Sequence, residues 1–124
     1  MNLRDKILSA KDLETQIVPV PQWGVTVEVR GMSGRQRSIF LKDIMDKKGN
    51  VDTLKLYPSL IIASTFDPET GERVFEDGDF DAIAEKSGGA LEVVAQVAMK
   101  LSGLDAAVAE KNLDDTQSES STSN

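Results

Sequence analysis

The sequence predicts a single small α+β domain, mainly helical, with four or so helices and two short β-hairpins. Three observations carry this. The chain has 124 residues, 40% of them apolar, enough for one modest core and not two. Val25, Val27 and Val29 alternate with Thr26, Glu28 and Arg30, the period-two pattern of a half-buried strand. Ser33 is followed three residues later by Gln36, the spacing of a capping box at a helix start.

Taken in order, Leu3, Ile7 and Ala10 fall on one side of a short N-terminal helix, with Arg4, Asp5 and Lys6 between them. The first hairpin covers about 16–30. Pro19 and Pro21 remove backbone donors, so its leading stretch is an edge strand or an extended arm. Pro21 to Gly24 makes the turn, and Trp23 beside it closes the hairpin as a core lid. The helix after Ser33 carries Ile39, Phe40, Ile44 and Met45 on its apolar face, and Gly49-Asn50 ends it as a C-cap. Asp52 caps the next helical piece. Because proline inside a helix costs about 3 kcal/mol, the spacing predicts a short turn at 53–57 and a helix restarting near Pro58. "LIIAS", apolar all round, implies full burial there, with strand as an alternative to helix.

"TFDPETGERVF" reads as the second hairpin, about 64–76, with Asp67-Pro68 opening the turn, Gly71 supplying a positive φ, and Phe66 and Phe75 flanking it. A long helix follows at about 90–102, after Gly88-Gly89. Its stripe is Leu91, Val94, Ala98 and Leu101, widened by Val93, Val97 and Leu104. Ala106, Ala107 and Val108 continue as a weaker helix. From Asp114 onward "DDTQSESSTSN" has no apolar anchors and reads as a disordered, acidic, Ser-rich tail. The domain is therefore 1–113 and the tail 114–124.

The composition excludes much chemistry. There is no cysteine and no histidine, so thiol catalysis, thiolate metal sites and a Ser-His-Asp triad have no residues to use. "GMSG" lacks the spacing and lysine of a phosphate loop, and no G-x-S-x-G elbow appears. Asp77, Asp79 and Asp81 alternate like the opening of a calcium loop. Counting from Asp77, however, position 6 is Ala82 and position 12 is Gly88, where such a loop needs glycine and a bidentate glutamate. The stretch reads instead as an acidic helix start, Asp79 capping and Asp81 in the first turn. No cofactor and no enzyme activity are expected.

A net charge of −7 argues against nucleic acid as a partner, and no apolar run approaches a membrane span. The N-terminus has no apolar core of a signal peptide, so the chain reads as cytoplasmic. The charge is polarised. Residues 30–48 hold six cations against Asp43 and Asp46, a local +4, whereas residues 67–92 hold nine carboxylates against Arg73 and Lys86, a local −7. Two such regions suit self-association through complementary potentials.

"VPQWGVTVEVRGMSGRQR", "LYPSLIIASTFDPETGERVF" and "KSGGALEVVAQVAMKLSGL" together resemble the tail assembly chaperones of long-tailed bacteriophages and their prophage relatives, over about residues 3–113. That resemblance implies a host-cytoplasmic factor absent from the mature virion. It would bind the tape measure protein, keep its helices soluble and yield to the tail tube protein, with a second, frameshifted form in many members. The expected contact residues are Phe40, Ile44, Val94, Val97 and Leu101, on two apolar faces (38–46 and 90–104) that would build a groove, with Arg35 and Arg37 for charge contacts. The alternatives are a structural minor or tube-end protein of the virion and a cytoplasmic adaptor unrelated to phage.

Overall fold

The computed structural model describes residues 2–104. Among them are a three-stranded antiparallel sheet and five α-helices, and the sheet and the last four helices share one core. Strands β1 (Thr15–Val20) and β2 (Val25–Arg30) form the first hairpin. One 3-10 turn, Pro21–Trp23, joins them, and Gly24 closes it at φ 65, a left-handed conformation that glycine adopts without penalty. Val18 faces Val27 and Val20 faces Val25. All but Val25 are buried, so one face of the hairpin feeds the core, as the alternation requires.

The register explains why β1 tolerates proline. The Gly31 N–H donates to the Glu14 carbonyl at 2.8 Å, and Thr15 lies opposite Arg30. Ladder bonds in an antiparallel pair alternate, so the backbone groups of Gln16, Val18 and Val20 face β2 while those of Thr15, Ile17 and Pro19 point off the sheet. The donor missing at Pro19 is one that no neighbouring strand uses. β1 is an edge, as the prolines indicate.

Helix α2 (Gly34–Ile44) begins at the expected capping box: Ser33 Oγ accepts from the Gln36 N–H at 3.2 Å, and Gln36 Oε1 accepts from the Ser33 N–H at 2.9 Å. It ends earlier than Gly49-Asn50 suggests. Met45 leaves the helix in an extended conformation, and Gly49, at φ 82, sits in a separate turn. There Asp46 Oδ1 accepts from the N–H groups of Lys48 and Asn50.

Helix α3 (Thr53–Ser64) corrects the broken helix expected around Pro58. It runs unbroken from its N-cap Asp52, with Pro58 inside it. The bond that proline forfeits is the one to Leu54, in the first turn, on a residue 82% exposed. Water can serve that carbonyl, while the ring itself is buried. "LIIAS" is helix here and not strand. It supplies Leu60, Ile61 and Ile62 to the core.

Strand β3 (Thr65–Phe66) leaves α3 directly and pairs with β2, Thr65 opposite Val29 and Phe66 opposite Glu28. The second hairpin is present in reduced form. Gly71, at φ 77, lets the chain double back from Asp67 to Glu72, and a lone bridge joins Phe66 to Arg73. The chain then enters a 3-10 turn, Asp77–Asp79, and helix α4 (Phe80–Ala84). Asp79 is the residue before α4, but its carboxylate reaches back to the Glu76 N–H at 2.8 Å. Helix α5 (Gly88–Leu101) starts at Ser87, whose Oγ accepts from the Ala90 N–H. It takes in both glycines.

Helix α3 is the centre. It packs against α5 on one side and α2 and α4 on others, and α5 lies across β1 and β2. Ile44, Leu60, Ile61, Val94, Val20, Val29 and Leu104 are fully sealed. Trp23 is half-buried against this core. One buried bond and one close backbone approach seal the seam between β2 and the end of α5. Ser102 Oγ accepts from the Met32 N–H at 3.0 Å, and Gly31 leaves no room for a side chain against the Leu101 carbonyl. Helix α1 (Leu3–Ser9) stands apart and buries none of its residues. No helix among the described residues is long and apolar enough to cross a membrane. The weak helix expected at 106–108 and the tail from Asp114 lie outside the described residues.

Candidate partner-binding site

The expected groove between the faces of 38–46 and 90–104 does not form. Helix α3 lies between α2 and α5 and takes both faces. A helix apolar all round must be covered on every side, and these two neighbours do the covering. Phe40, Ile44 and Val94 are buried in the core of the described domain. Val97 and Leu101 are half-buried and pack on the same core. Arg35 is exposed on α2. Arg37 is partly spent: its Nη2 donates to the Gly103 carbonyl at 3.3 Å, where a cation suits the end of α5.

A different cleft lies on the far side of α2. It has a volume of about 470 Å³ and sits between α2, α3 and the segment from Phe66 to Phe80. Ile39, Phe40, Ile62, Phe66 and Phe80 give it an apolar floor and walls; Gln36, Asp43, Arg73 and Asp77 form polar edges. Arg30 fixes one wall. Its guanidinium lies 4.0 Å from the Phe66 ring centroid and donates to Glu28 Oε2 and to the Gly71 carbonyl, each at 3.2 Å. Beside it, Arg73, bridged to Phe66, donates its Nη2 to the Ile62 carbonyl at 3.3 Å.

A second exposed apolar surface is helix α1. Leu3, Ile7 and Leu8 are 71%, 61% and 68% exposed. A seven-residue helix has too few hydrogen bonds to persist alone in water, so this element asks for a surface to lie on. Leu13 and Ile17 are likewise exposed.

Sequence reasoning missed the cleft. Ile39 belongs to the α2 face it identified, yet sits one position round from Phe40 and turns toward solvent; its placement between Arg35 and Lys42 was the available signal. That Phe66 and Phe80 come together depends on how 67–79 folds back, which no local pattern encodes. The acidic stretch is a helix start, and among the described residues no three carboxylates are grouped to hold a metal ion.

The comparisons with known proteins agree with this fold. The solved structure titled as the tail assembly chaperone of bacteriophage HK97 matches with a TM-score of 0.56 at 21% identity, covering 79% of this chain and 95% of that one. That likeness is one of fold. A search of curated proteins gives no match. The family model described as phage tail assembly chaperone matches residues 2–119. On that span, nearly the whole sequence, the chain belongs to the phage tail assembly chaperone family.

Proposed function

We propose that the protein binds the tape measure protein of its phage in the host cytoplasm, keeps it soluble until the tube polymerises, and is then displaced without entering the virion. It does so by holding another polypeptide and not by catalysis. The observation that carries this reading is the cleft of Ile39, Phe66 and Phe80. Helix-in-groove recognition needs an apolar trough a few turns long with polar edges. Helix α2, eleven residues or about 16 Å long, offers a trough of that length. Asp43, Asp77 and Arg73 line its edges, the last two paired at 3.6 Å, and suit a client helix with charges of both signs flanking its apolar stripe.

Many copies would line one extended client, so self-association belongs to the same reading. The unpartnered face of α1 and the polarised charge of α2 against 67–92 support it. The test is co-expression with the tape measure protein of the same genome. Native chain is expected to retain it in solution and co-purify with it, while Ile39→Asp, on a residue 55% exposed, loses the client without losing thermal stability. Equal co-purification by that variant would refute the cleft as the site.

A further inference from the structure

Two apolar surfaces of the described domain lie outside the client cleft, and they complement each other. The first is helix α1. Leu3 and Ile7 stand one turn apart on one side of it, both largely exposed. At about 100° per residue, Lys6 lies on one flank of this pair and Arg4 on the other, with Asp5 at the back. Arg4 contacts Asp5 at 3.3 Å, an exposed pair that competes weakly with a new partner. The second surface is a hollow of about 340 Å³ at the Trp23 end of the first hairpin. Trp23, Val74, Phe75 and Ile83 give it apolar walls, and Asp79 and Lys86 also line it. It belongs to the stretch 67–92, net −7, and Glu76, Asp81 and Glu85 are exposed next to its lining residues. Of the carboxylates in that stretch, Asp77 alone is ion-paired among the described residues.

We infer that α1 of one copy docks in this hollow on a second copy. Leu3 and Ile7 enter between Trp23, Phe75 and Ile83, while Arg4 and Lys6 meet the acidic rim. The client cleft is walled on one side by α2, within the cationic stretch 30–48, so charge selects the hollow. Position makes the contact one between copies. Helix α1 leads into β1 at Thr15, whereas Trp23 follows the other end of that strand. Six-residue β1 is about 17–20 Å long, and the link to α1, residues 10–14, spans at most about 17 Å when fully stretched. Donor and acceptor thus stand at opposite ends of the hairpin. Each copy gives with one surface and receives with another, a heterologous contact that repeats from copy to copy. Self-association belongs to the proposed function, on which this pairing rests; the pairing adds its two surfaces.

The test uses the full chain without any client. Trp23 is the single tryptophan and lines the hollow, so its emission reports occupancy directly. As concentration rises, the native chain is expected to form larger species in sedimentation velocity, and the Trp23 emission should move to shorter wavelength in step. Ile7→Ser removes the donor, and Val74→Arg and Ala82→Arg each block the acceptor. All three positions are exposed. Each variant should associate about tenfold more weakly or worse, the scale of one lost apolar anchor, at an unchanged melting temperature. Mixing Ile7→Ser with Ala82→Arg should restore pairs and the emission shift, and nothing larger, because each supplies the surface that the other lacks. At 1 M salt, where screening shortens to about 3 Å, native association should weaken several-fold. Acceptor variants that associate as the native chain does, an emission unchanged by association, a mixture that stays monomeric, or a native chain monomeric throughout overturns the proposal. So does an emission already shifted in the monomer and reversed by Ile7→Ser, which would place α1 in the hollow of its own chain. Ile39→Asp, outside this hollow, should assemble as the native chain does, so loss of pairing and loss of the client are separate readouts.

Discussion

The guanidinium of Arg30 lies 4.0 Å from the centre of the Phe66 ring, and so ties the middle strand of the sheet to a wall of the cleft. The same group donates to Glu28 and to the Gly71 carbonyl, which pins the 67–72 turn over the strand. Arg30→Met keeps the stem and removes the charge; it is expected to cost about 1–2 kcal/mol, the scale of a part-buried cation–π contact with charged hydrogen bonds. Urea unfolding should show a lower midpoint at unchanged slope. Arg30→Lys should fall between, since a lysine does not reach both acceptors in one geometry. A wild-type midpoint for Arg30→Met would show that the turn holds itself.

At Gly31 the backbone of the sheet comes directly against the end of α5. A Cβ there would stand 2.7 Å from the Leu101 carbonyl oxygen. Because the obstacle is backbone, it yields only by shifting α5 from the sheet. Gly31→Ala is expected to destabilise by about 1–3 kcal/mol, read by calorimetry, whereas Gly34→Ala, whose Cβ meets nothing within 4 Å, should be neutral or slightly stabilising. Equal melting temperatures for the two variants would contradict the account of this seam.

Ser64 and Thr65, at the junction of α3 and β3, are buried with hydroxyls that find no partner among the described residues. Removing an unsatisfied buried hydroxyl relieves desolvation without costing a bond. Thr65→Val, nearly equal in shape, is therefore expected to raise stability by up to about 1 kcal/mol. A clear loss would mean that an ordered water or partner occupies this point.

Helix α1 and the α2 core face give opposite expectations. Ile7→Glu and Leu8→Glu touch nothing buried and should leave the melting temperature within a degree or so of native. They should nevertheless abolish concentration-dependent association in sedimentation velocity if α1 mediates it. Phe40→Ala, at a buried site, is expected to cost about 3–5 kcal/mol. If the α1 variants unfold the protein, the helix has a partner within its own chain.

What could be read in the sequence divides along the range of the interactions. The first hairpin, the Ser33 cap and the acidic helix start were legible because each is fixed by residues within a few positions of one another. Pro58 misled because the local cost is real; burial of α3 on three sides outweighs it, and that burial is visible only in three dimensions. That α3 lies between the faces of Phe40 and Val94 was hidden for the same reason. Periodicity shows that a face is apolar but not what lies against it, and α3 filled the space assigned to a client. Arg35 and Ile39 sit on the surface where a contact was sought, while Phe66 and Phe80 meet only through the fold.

Proline at position 19 carries a wider implication. If, as proposed, the protein works in many copies beside an aggregation-prone polypeptide, it must not itself become a template for strand growth. The outward rim of β1 offers the full donor–acceptor set only at Thr15 and Ile17, because Pro19 brings no N–H to it. Two residues are too short a run to seed another strand. At this edge, contacts in the proposed assembly are thereby left to side chains, whose grip can be released, and not to a backbone ladder that would lock chaperone and client together.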